Sequence, residues 1–186
     1  MNPDATDADD LLIRQVKEGN EQAMHTLYCR YIRYLSAVCS RYISSDEDVK
    51  DVLQNVFIKI FDSVDKFEYS GEGSVKGWIT KILINESLKY LKKKDGLNFV
   101  ELRENELDVP DEEPDTHAIP PEIIYSMIRG LPEGYRVVFN LFVIEGKSHK
   151  EIAALLGIKE NSSASQLHRA KAILAEKIKK YNSLHT

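Results

Sequence analysis

The sequence predicts an all-α protein with two small helical domains, joined by an acidic linker, and a helix-turn-helix in the C-terminal domain. Apolar residues recur at helical spacing on both sides of the linker. No segment alternates apolar and polar residues as a half-buried strand does. The chain has 186 residues, 42% of them hydrophobic, which is enough to bury two modest cores. The domains are predicted at residues 1–95 and 119–186, with the linker at 96–118.

Charge is unevenly distributed along the chain, although the net charge is only −5. Residues 1–95 carry 16 acidic and 14 basic side chains, residues 96–118 carry 8 and 1, and residues 119–186 carry 6 and 10. Like-charge repulsion, two prolines and few large apolar residues favour an extended linker in the middle stretch. The basic C-terminal domain is the part whose charge suits an anionic partner.

Four helices are predicted in the N-terminal domain: one over 10–18, one over 21–43, one opened by Ser45 and one over 75–94. Gly19 ends the first helical pattern, and the Gly71 and Gly73 pair separates the third from the fourth. Asn20 and Ser45 are of the residue types that cap helix N-termini, so they are expected to begin the second and third helices.

The last third of the chain predicts a helix, a tight turn and a second helix between Ser148 and Leu174. Ser148 and Glu151 have the spacing of a capping box, and Gly157 suits the left-handed residue that ends a helix. The second helix carries small residues beside cations on one face: Ala164, Ser165, His168 and Arg169. Such a face suits the major groove of DNA, although an ordinary helical hairpin shows the same helix–glycine–helix pattern.

The third helix has a polar face that helix electrostatics explains only in part. The acids at 46–48 lie in the first turn, where they complement the helix dipole. Asp51, Gln54 and Asn55 continue the polar face beyond that turn. The helix dipole leaves this continuation of the polar face unexplained.

The fourth helix is lysine-rich: it carries Lys76, Lys81, Lys89, Lys92, Lys93 and Lys94. Its last three lysines also suit the helix dipole. With Asn85 and with Phe67 and Tyr69, which are expected to be exposed, the helix predicts a site for single-stranded nucleic acid. Trp78 is assigned to the core rather than to base stacking because of its helical periodicity.

Other classes of function find little support. No apolar run reaches the length of a membrane span, and the acidic N-terminus is no signal peptide. Two cysteines favour a reducing cytoplasm over a disulfide framework. His25 and Cys29 have the spacing of half a metal site but are better explained by packing. No nucleophile–base pair or phosphate-cradling glycine loop is present, so neither an enzyme nor a cofactor is predicted.

Four segments together resemble bacterial RNA polymerase sigma factors of the extracytoplasmic-function (ECF) type. They are EDVKDVLQNVF at 47–57, WITKILINESLKYLKKK at 78–94, LPEGYRVVFNLFVIEG at 131–146 and the helix-turn-helix from Ser148. In that family the first segment corresponds to the helix that docks on the beta-prime clamp helices, and the second to the helix that melts and recognises the −10 element. The third corresponds to the start of region four, and the fourth to the helix-turn-helix that recognises the −35 element. The resemblance covers about residues 10–94 and 120–181.

The resemblance implies roles for individual residues. Polymerase would be contacted by Asp48, Asp51, Gln54 and Asn55. The −10 DNA would be contacted by Phe67, Tyr69, Asn85, Lys89, Lys92, Lys93 and Lys94. The −35 DNA would be contacted by Lys147, Lys150, Ser162, Ala164, Ser165, His168, Arg169 and Lys171. Implied partners are core RNA polymerase, through its beta-prime clamp helices and beta flap, promoter DNA and an anti-sigma factor. A cytoplasmic location without membrane insertion is implied.

The chain departs from the family pattern at several of these positions. Asn55 stands where the family usually has an acid, and Lys89 occupies a position that is commonly acidic. The family usually has valine at Ser163 and a cation at Ala164 and Gln166. Arg and Lys are the commonest readers of guanine, so −35 recognition is predicted to depend on DNA shape and phosphate contacts.

Two other interpretations stay open at this point. A stand-alone helix-turn-helix regulator would act without docking on polymerase, and it would need a dimer interface, for which no heptad seam is evident. An interaction protein sequestered by a partner is the other. It is compatible with the family resemblance because an anti-sigma factor would cover the same polar and basic faces.

Overall fold

The computed structural model of the chain describes residues 3–94, 115–117 and 119–185. Within those residues the protein has no strand, and its helices are α1 (Pro3–Lys17), α2 (Glu21–Tyr42), α3 (Asp46–Ser63), a 3-10 helix (Val64–Lys66), α4 (Ser74–Lys94), α5 (Pro121–Arg129), α6 (Glu133–Phe139) with a π-helical turn (Asn140–Ile144), α7 (His149–Leu156) and α8 (Glu160–His185). The predicted all-α fold is confirmed. Of the predicted linker, 96–118, only 115–117 lie among the described residues.

The chain divides into two compact units, Met1–Tyr90 (unit 1) and Leu91–Thr186 (unit 2). Unit 1 is held together by apolar stripes on its helices. The apolar stripe expected on α3 ends in Phe61, which is half-buried, and its other residues are buried: Val49, Val52, Leu53, Val56, Phe57 and Ile60. α3 packs with this side against α2, whose stripe is buried in the same way: Ala23, Leu27, Tyr31, Leu35, Val38 and Tyr42. Helical periodicity therefore predicted the interior of unit 1.

The predicted helix starts in unit 1 are confirmed by their caps. The Asn20 side chain accepts from the Ala23 amide at 3.1 Å, and the Ser45 hydroxyl accepts from the Asp48 amide at 3.3 Å. Gly19 has a φ of 77°, the left-handed region that a side chain disfavours. Each cap satisfies an amide that the helix itself cannot pair.

Two predicted helix ranges are too short. α1 begins at Pro3 rather than at residue 10. α8 continues from Glu160 to His185, beyond Leu174. Its extension is stabilised by buried Ala175 and Ile178 on the same stripe as Leu174.

One apolar cluster of unit 2 joins α5 to α8. Ile128, Leu131, Ala170 and Leu174 are buried together, with Met127 and Tyr135 among the half-buried residues against them. α8 contributes two of the four buried residues, so one long helix organises the unit. Lys177 of α8 also donates to the Gly130 carbonyl at 3.0 Å, which caps the C-terminal end of α5.

Arg136 is a buried cation in unit 2, only 4% exposed. Its Nη1 donates to the Arg129 carbonyl at 2.9 Å and to the Leu131 carbonyl at 3.4 Å. These carbonyls lie in the turn between α5 and α6, which the guanidinium therefore ties to α6. Burial is the main reason that the pKa of Arg136 lies below its ordinary value.

We expect Arg136→Met to destabilise unit 2 by about 1–3 kcal/mol, because it leaves the two turn carbonyls without a donor. Urea unfolding followed by circular dichroism measures the loss. Lys179→Met, on the exposed side of α8, removes the same charge and is the control. Equal midpoints for the two variants would contradict the role given to Arg136.

The capping box of α7 should make stability depend on pH. Glu151 Oε2 accepts from the Ser148 hydroxyl at 2.7 Å and from its amide at 2.8 Å, and these bonds lower the pKa of Glu151. A lowered carboxyl pKa stabilises the fold above the unfolded-state value near 4.5, and this contribution is lost as pH falls through the folded-state pKa.

We therefore expect Glu151→Ala to lower the unfolding midpoint at pH 7. The midpoints of the variant and the wild-type chain should converge as the pH falls toward 3. Glu176→Ala, an exposed acid of α8, is the control for charge and helix propensity. A Glu151→Ala deficit that is independent of pH would contradict this assignment.

Candidate functional site

The polar face of α3 points to solvent. Asp51, Gln54 and Asn55 are exposed, and Asp48 is half-buried beside the cap at Ser45. The apolar stripe on the other side of the helix is buried, so helix geometry forces these polar side chains outward. The four predicted polymerase-contact residues thus follow one another along one accessible helix.

An apolar groove lies beside this polar face, between α2 and α3. It encloses about 340 Å³ and is lined by Tyr28, Ile32, Lys50, Leu53, Gln54, Phe57, Ile58 and Phe61. Tyr28 and Phe57 have ring centroids 4.6 Å apart, while 42% of Tyr28 and 52% of Ile58 remain exposed. Gln54 belongs to both surfaces, so the polar face and the groove form one continuous patch.

Sequence reasoning missed this groove. Its signal was present in Tyr28 and Ile58, which are large apolar residues outside the buried stripes of their helices. Neither stripe alone shows that these two residues border the same cavity.

The lysines of α4 are exposed at all six positions singled out: Lys76, Lys81, Lys89, Lys92, Lys93 and Lys94. Asn85 is half-buried among them. The Lys89 Nζ lies 2.9 Å from Glu86 Oε1, an atom that Lys59 also approaches at 3.0 Å, and the Lys92 Nζ donates to the Leu155 carbonyl at 2.9 Å. Lys89 therefore already has a carboxylate partner.

The Glu86 pairing is reflected in both pKa values. Burial by itself raises the pKa of Glu86, but the hydrogen bonds from Lys89 and Lys59 outweigh it and keep that pKa below its ordinary value. The bond to Glu86 raises the pKa of Lys89. Phosphate must therefore compete with Glu86 for Lys89.

The prediction that Phe67 is exposed is wrong. Phe67 is only 8% exposed, and its ring stacks on Trp78 with centroids 4.5 Å apart. The indole offers an apolar face that covers Phe67, which the spacing along the chain did not reveal. Trp78 is half-buried, and so is Tyr69. Phe67 thus supports Trp78 and is not accessible for stacking on a base.

The helix-turn-helix forms as predicted. The capping box between Ser148 and Glu151 is complete, and the Glu151 amide donates to the Ser148 hydroxyl at 3.3 Å. Gly157 has a φ of 74° and donates its amide to the Ala153 carbonyl at 2.8 Å. Gly157 therefore ends α7 in the left-handed conformation, which sets the direction in which α8 leaves the turn.

The predicted −35 readers lie on the outer side of α8. Ala164, Ser165 and His168 are exposed, and Arg169 is half-buried. The residues assigned to phosphate surround them: Lys150 and Lys171 are exposed, while Lys147 and Ser162 are half-buried. Gln166 is 5% exposed on the inner side. A cation at that position would lie in the interior, so only the difference at Ala164 removes a reader.

His149 was not singled out from the sequence, yet it connects the two helices of the motif. Its Nδ1 lies 3.0 Å from the buried Ser163 hydroxyl, and its ring stacks on Phe142 at 4.6 Å. A histidine fourteen residues from its serine partner gives no local pattern. We assign His149 a structural role.

His25 and Cys29, which have the spacing of half a metal site, are not joined by further ligands among the described residues. Cys29 Sγ lies 3.8 Å from His25 Nδ1 and 3.7 Å from Nε2 on the exposed side of α2. Among the described residues, His, Cys, Asp and Glu side chains form no group of three that could hold a metal ion. No helix of the described residues is long and apolar enough to cross a membrane.

Two family models match the chain on the segments just described. Sigma-70 region 2 matches residues 27–96, which include α3 and α4, and sigma-70 region 4 matches residues 122–174, which include the helix-turn-helix. Together these ranges contain all the residues predicted to contact polymerase and DNA.

Proteins similar to this chain over most of its length include ECF RNA polymerase sigma-E factors. The one from Haemophilus influenzae is 27% identical over 183 residues, covering 91% of this chain and 95% of that protein. The one from Escherichia coli K12 is 28% identical over 182 residues, covering 91% and 94%.

Two solved structures are also similar. CnrH, in complex with the cytosolic domain of CnrY, has a TM-score of 0.49 and 24% identity over 93% of this chain and 98% of that chain. RpoE from Bartonella quintana, in complex with the anti-sigma factor NepR, has a TM-score of 0.49 and 20% identity over 83% and 96%.

The two family models, in order on one chain, and relatives of matching length lead to one conclusion. The chain belongs to the sigma-70 family of RNA polymerase sigma factors, in its extracytoplasmic-function group, and directs promoter-specific transcription with RNA polymerase.

Proposed function

We propose that this sigma factor divides initiation among three surfaces: α3 of unit 1 docks on core polymerase, α4 opens the −10 element, and the helix-turn-helix of unit 2 reads the −35 element. The observation that carries the proposal is the exposed patch on α3, where Asp51, Gln54 and Asn55 border an apolar groove. A stand-alone DNA-binding protein has no need of such a patch, so the patch favours docking over the stand-alone regulator.

The docking surface combines two kinds of contact. Asp51 and Gln54 offer polar partners that set orientation, whereas the groove lined by Tyr28, Phe57 and Ile58 offers apolar burial. We assign the beta-prime clamp helices of polymerase to this surface. Unit 2 would meet the beta flap.

At the −10 element, α4 supplies cations for phosphates. Lys92, Lys93 and Lys94 are exposed, whereas Lys89 is paired with Glu86. Tyr69 and Trp78 are the half-buried aromatic residues with a face to offer an unpaired base. Preferential binding of the unpaired strand would shift the promoter from duplex to open complex.

At the −35 element, we infer that α8 enters the major groove with Ala164, Ser165, His168 and Arg169. Only Arg169 has the guanidinium that commonly reads guanine. Phosphate contacts from Lys150 and Lys171 would hold the helix in place, and sequence-dependent DNA shape would supply selectivity.

The free chain should bind promoters weakly, since its net charge is −5 and cationic side chains are concentrated on α4 and in unit 2. Polymerase that holds both units would make the second DNA contact effectively intramolecular, so modest affinities multiply. An anti-sigma factor that covered the α3 patch would block this assembly, and we propose one as a regulatory partner.

We expect Asp51→Arg combined with Gln54→Ala to reduce initiation strongly. Purified core polymerase, a genomic promoter pool and the wild-type chain should yield new start sites, which should fall at least about tenfold with the double variant because a reversed charge in a docking surface costs several kcal/mol. Asp62→Arg, an exposed acid further along α3, is the control for charge reversal.

Two outcomes would contradict the proposal. Start sites that persist with the double variant would move docking away from α3. No initiation by the wild-type chain, together with specific binding of the full chain to duplex DNA without polymerase, would favour the stand-alone regulator.

We expect Lys150→Gln to weaken holoenzyme binding to all promoters about equally and to reduce the slope of log affinity against log salt by about 1, as loss of one phosphate contact does. Lys179→Gln is the control on the exposed side of α8. A scan of the −35 bases in which single guanines cost more than about 3 kcal/mol would contradict shape-based recognition.

A further inference from the structure

The loop between the 3-10 helix and α4, residues 67–73, carries Phe67 and Tyr69, and we call it the aromatic loop. Its end nearest α4 is fixed by its own hydrogen bonds. The Ser74 hydroxyl donates to the Gly71 carbonyl at 2.7 Å, and the Ser70 amide donates to that hydroxyl at 3.4 Å. Gly71 has a φ of 107°, so the chain there takes a conformation that other residues disfavour.

The other end of the aromatic loop is held from a distant part of the sequence. Lys17, the last residue of α1, donates its Nζ to the Phe67 carbonyl at 2.6 Å. The two residues are fifty positions apart. A short bond from an ammonium group is charge-assisted and therefore stronger than one between neutral groups.

Lys17 is itself held in place because α1 is firmly packed on unit 1. Leu12, Ile13 and Val16 of α1 are buried. Asp9 forms an ion pair with Arg30 and accepts from the Tyr31 hydroxyl at 3.4 Å. Burial, with Asp9 nearby, raises the pKa of Tyr31 to about 12, so the hydroxyl keeps its proton and remains a donor.

The contact at Phe67 continues to α4. The Phe67 ring stacks on Trp78, so displacing the Phe67 backbone would also displace the support beneath the indole. Trp78 lies on the same helix as the exposed lysines proposed for the −10 strand. One bond from α1 thus joins α1 to the residue that packs beneath an aromatic side chain of α4.

We propose that Lys17 is a positioning residue for promoter melting: by holding the Phe67 carbonyl, it fixes the aromatic loop and Trp78 in the arrangement that binds the unpaired −10 strand. The inference rests on the proposed role of α4 at the −10 element. It adds α1 to that role, although α1 precedes residues 27–96, which the region 2 model matches.

The test uses the full chain with core polymerase on a promoter that the wild-type holoenzyme transcribes. Lys17→Met removes the donor, Lys17→Arg keeps a cationic donor, and Lys66→Met removes an exposed lysine near the loop as a control. Open complex is measured by 2-aminopurine fluorescence at the −10 element. Binding to core polymerase is measured by anisotropy of labelled protein. Amide exchange of residues 67–74 is measured in the free chain.

We expect Lys17→Met to reduce the open-complex equilibrium about tenfold, as loss of a charge-assisted hydrogen bond does, and to speed amide exchange in the aromatic loop. Affinity for core polymerase should change less than about twofold. Lys17→Arg should recover most of the open complex, and Lys66→Met should match the wild-type chain.

Equal opening by Lys17→Met and Lys66→Met would overturn the inference while leaving the proposed function intact. A parallel loss of polymerase affinity and melting temperature with Lys17→Met would also overturn it, because the residue would then act on the fold as a whole. Failure of the wild-type holoenzyme to open any promoter would overturn the proposed function, and this inference with it.

Discussion

The packing of α3 against α2 is the constraint on which the surfaces of unit 1 depend. Val52, Val56 and Ile60 of α3 are completely buried, so Asp51 and Asn55, on the opposite side of the helix, face solvent. The polar face and the buried stripe are thus two consequences of one helical period. The groove arises where the two helices do not meet fully, at Tyr28 and Ile58, and leaves apolar surface accessible next to polar groups.

Unit 2 combines a buried apolar core with close control of its helix ends. Its turns are held by specific bonds: the capping box starts α7, Gly157 ends it, and Arg136 and Lys177 hold the carbonyls around the end of α5. Each bond satisfies a backbone group that the helices themselves leave unpaired. Such control suits a motif whose second helix must present its outer face at a defined angle.

The distribution of charge fits a protein that acts only as part of an assembly. Its cations lie on α4 and around the helix-turn-helix, while the chain as a whole is acidic. Pairing of Lys89 with Glu86 weakens the α4 surface further. Weak individual contacts fit the proposal that promoter engagement depends on polymerase.

Local patterns were sufficient to predict most of the fold and many features of the candidate surfaces. The interactions that define them join residues only a few positions apart and can therefore be predicted from the sequence. They are the helical periods, the caps at Asn20 and Ser45, and the Ser148–Gly157 motif. The exposure of Asp51 and His168 followed from the same periods.

The remaining features join residues that are distant in sequence. Phe67 is buried because Trp78 covers it, Lys17 finds an acceptor fifty positions away, and the groove exists only where two helices meet. A helical period states which side of a helix is apolar, but not which partner covers it or how completely. Those outcomes depend on how the helices pack in three dimensions, and tertiary packing alone decided them.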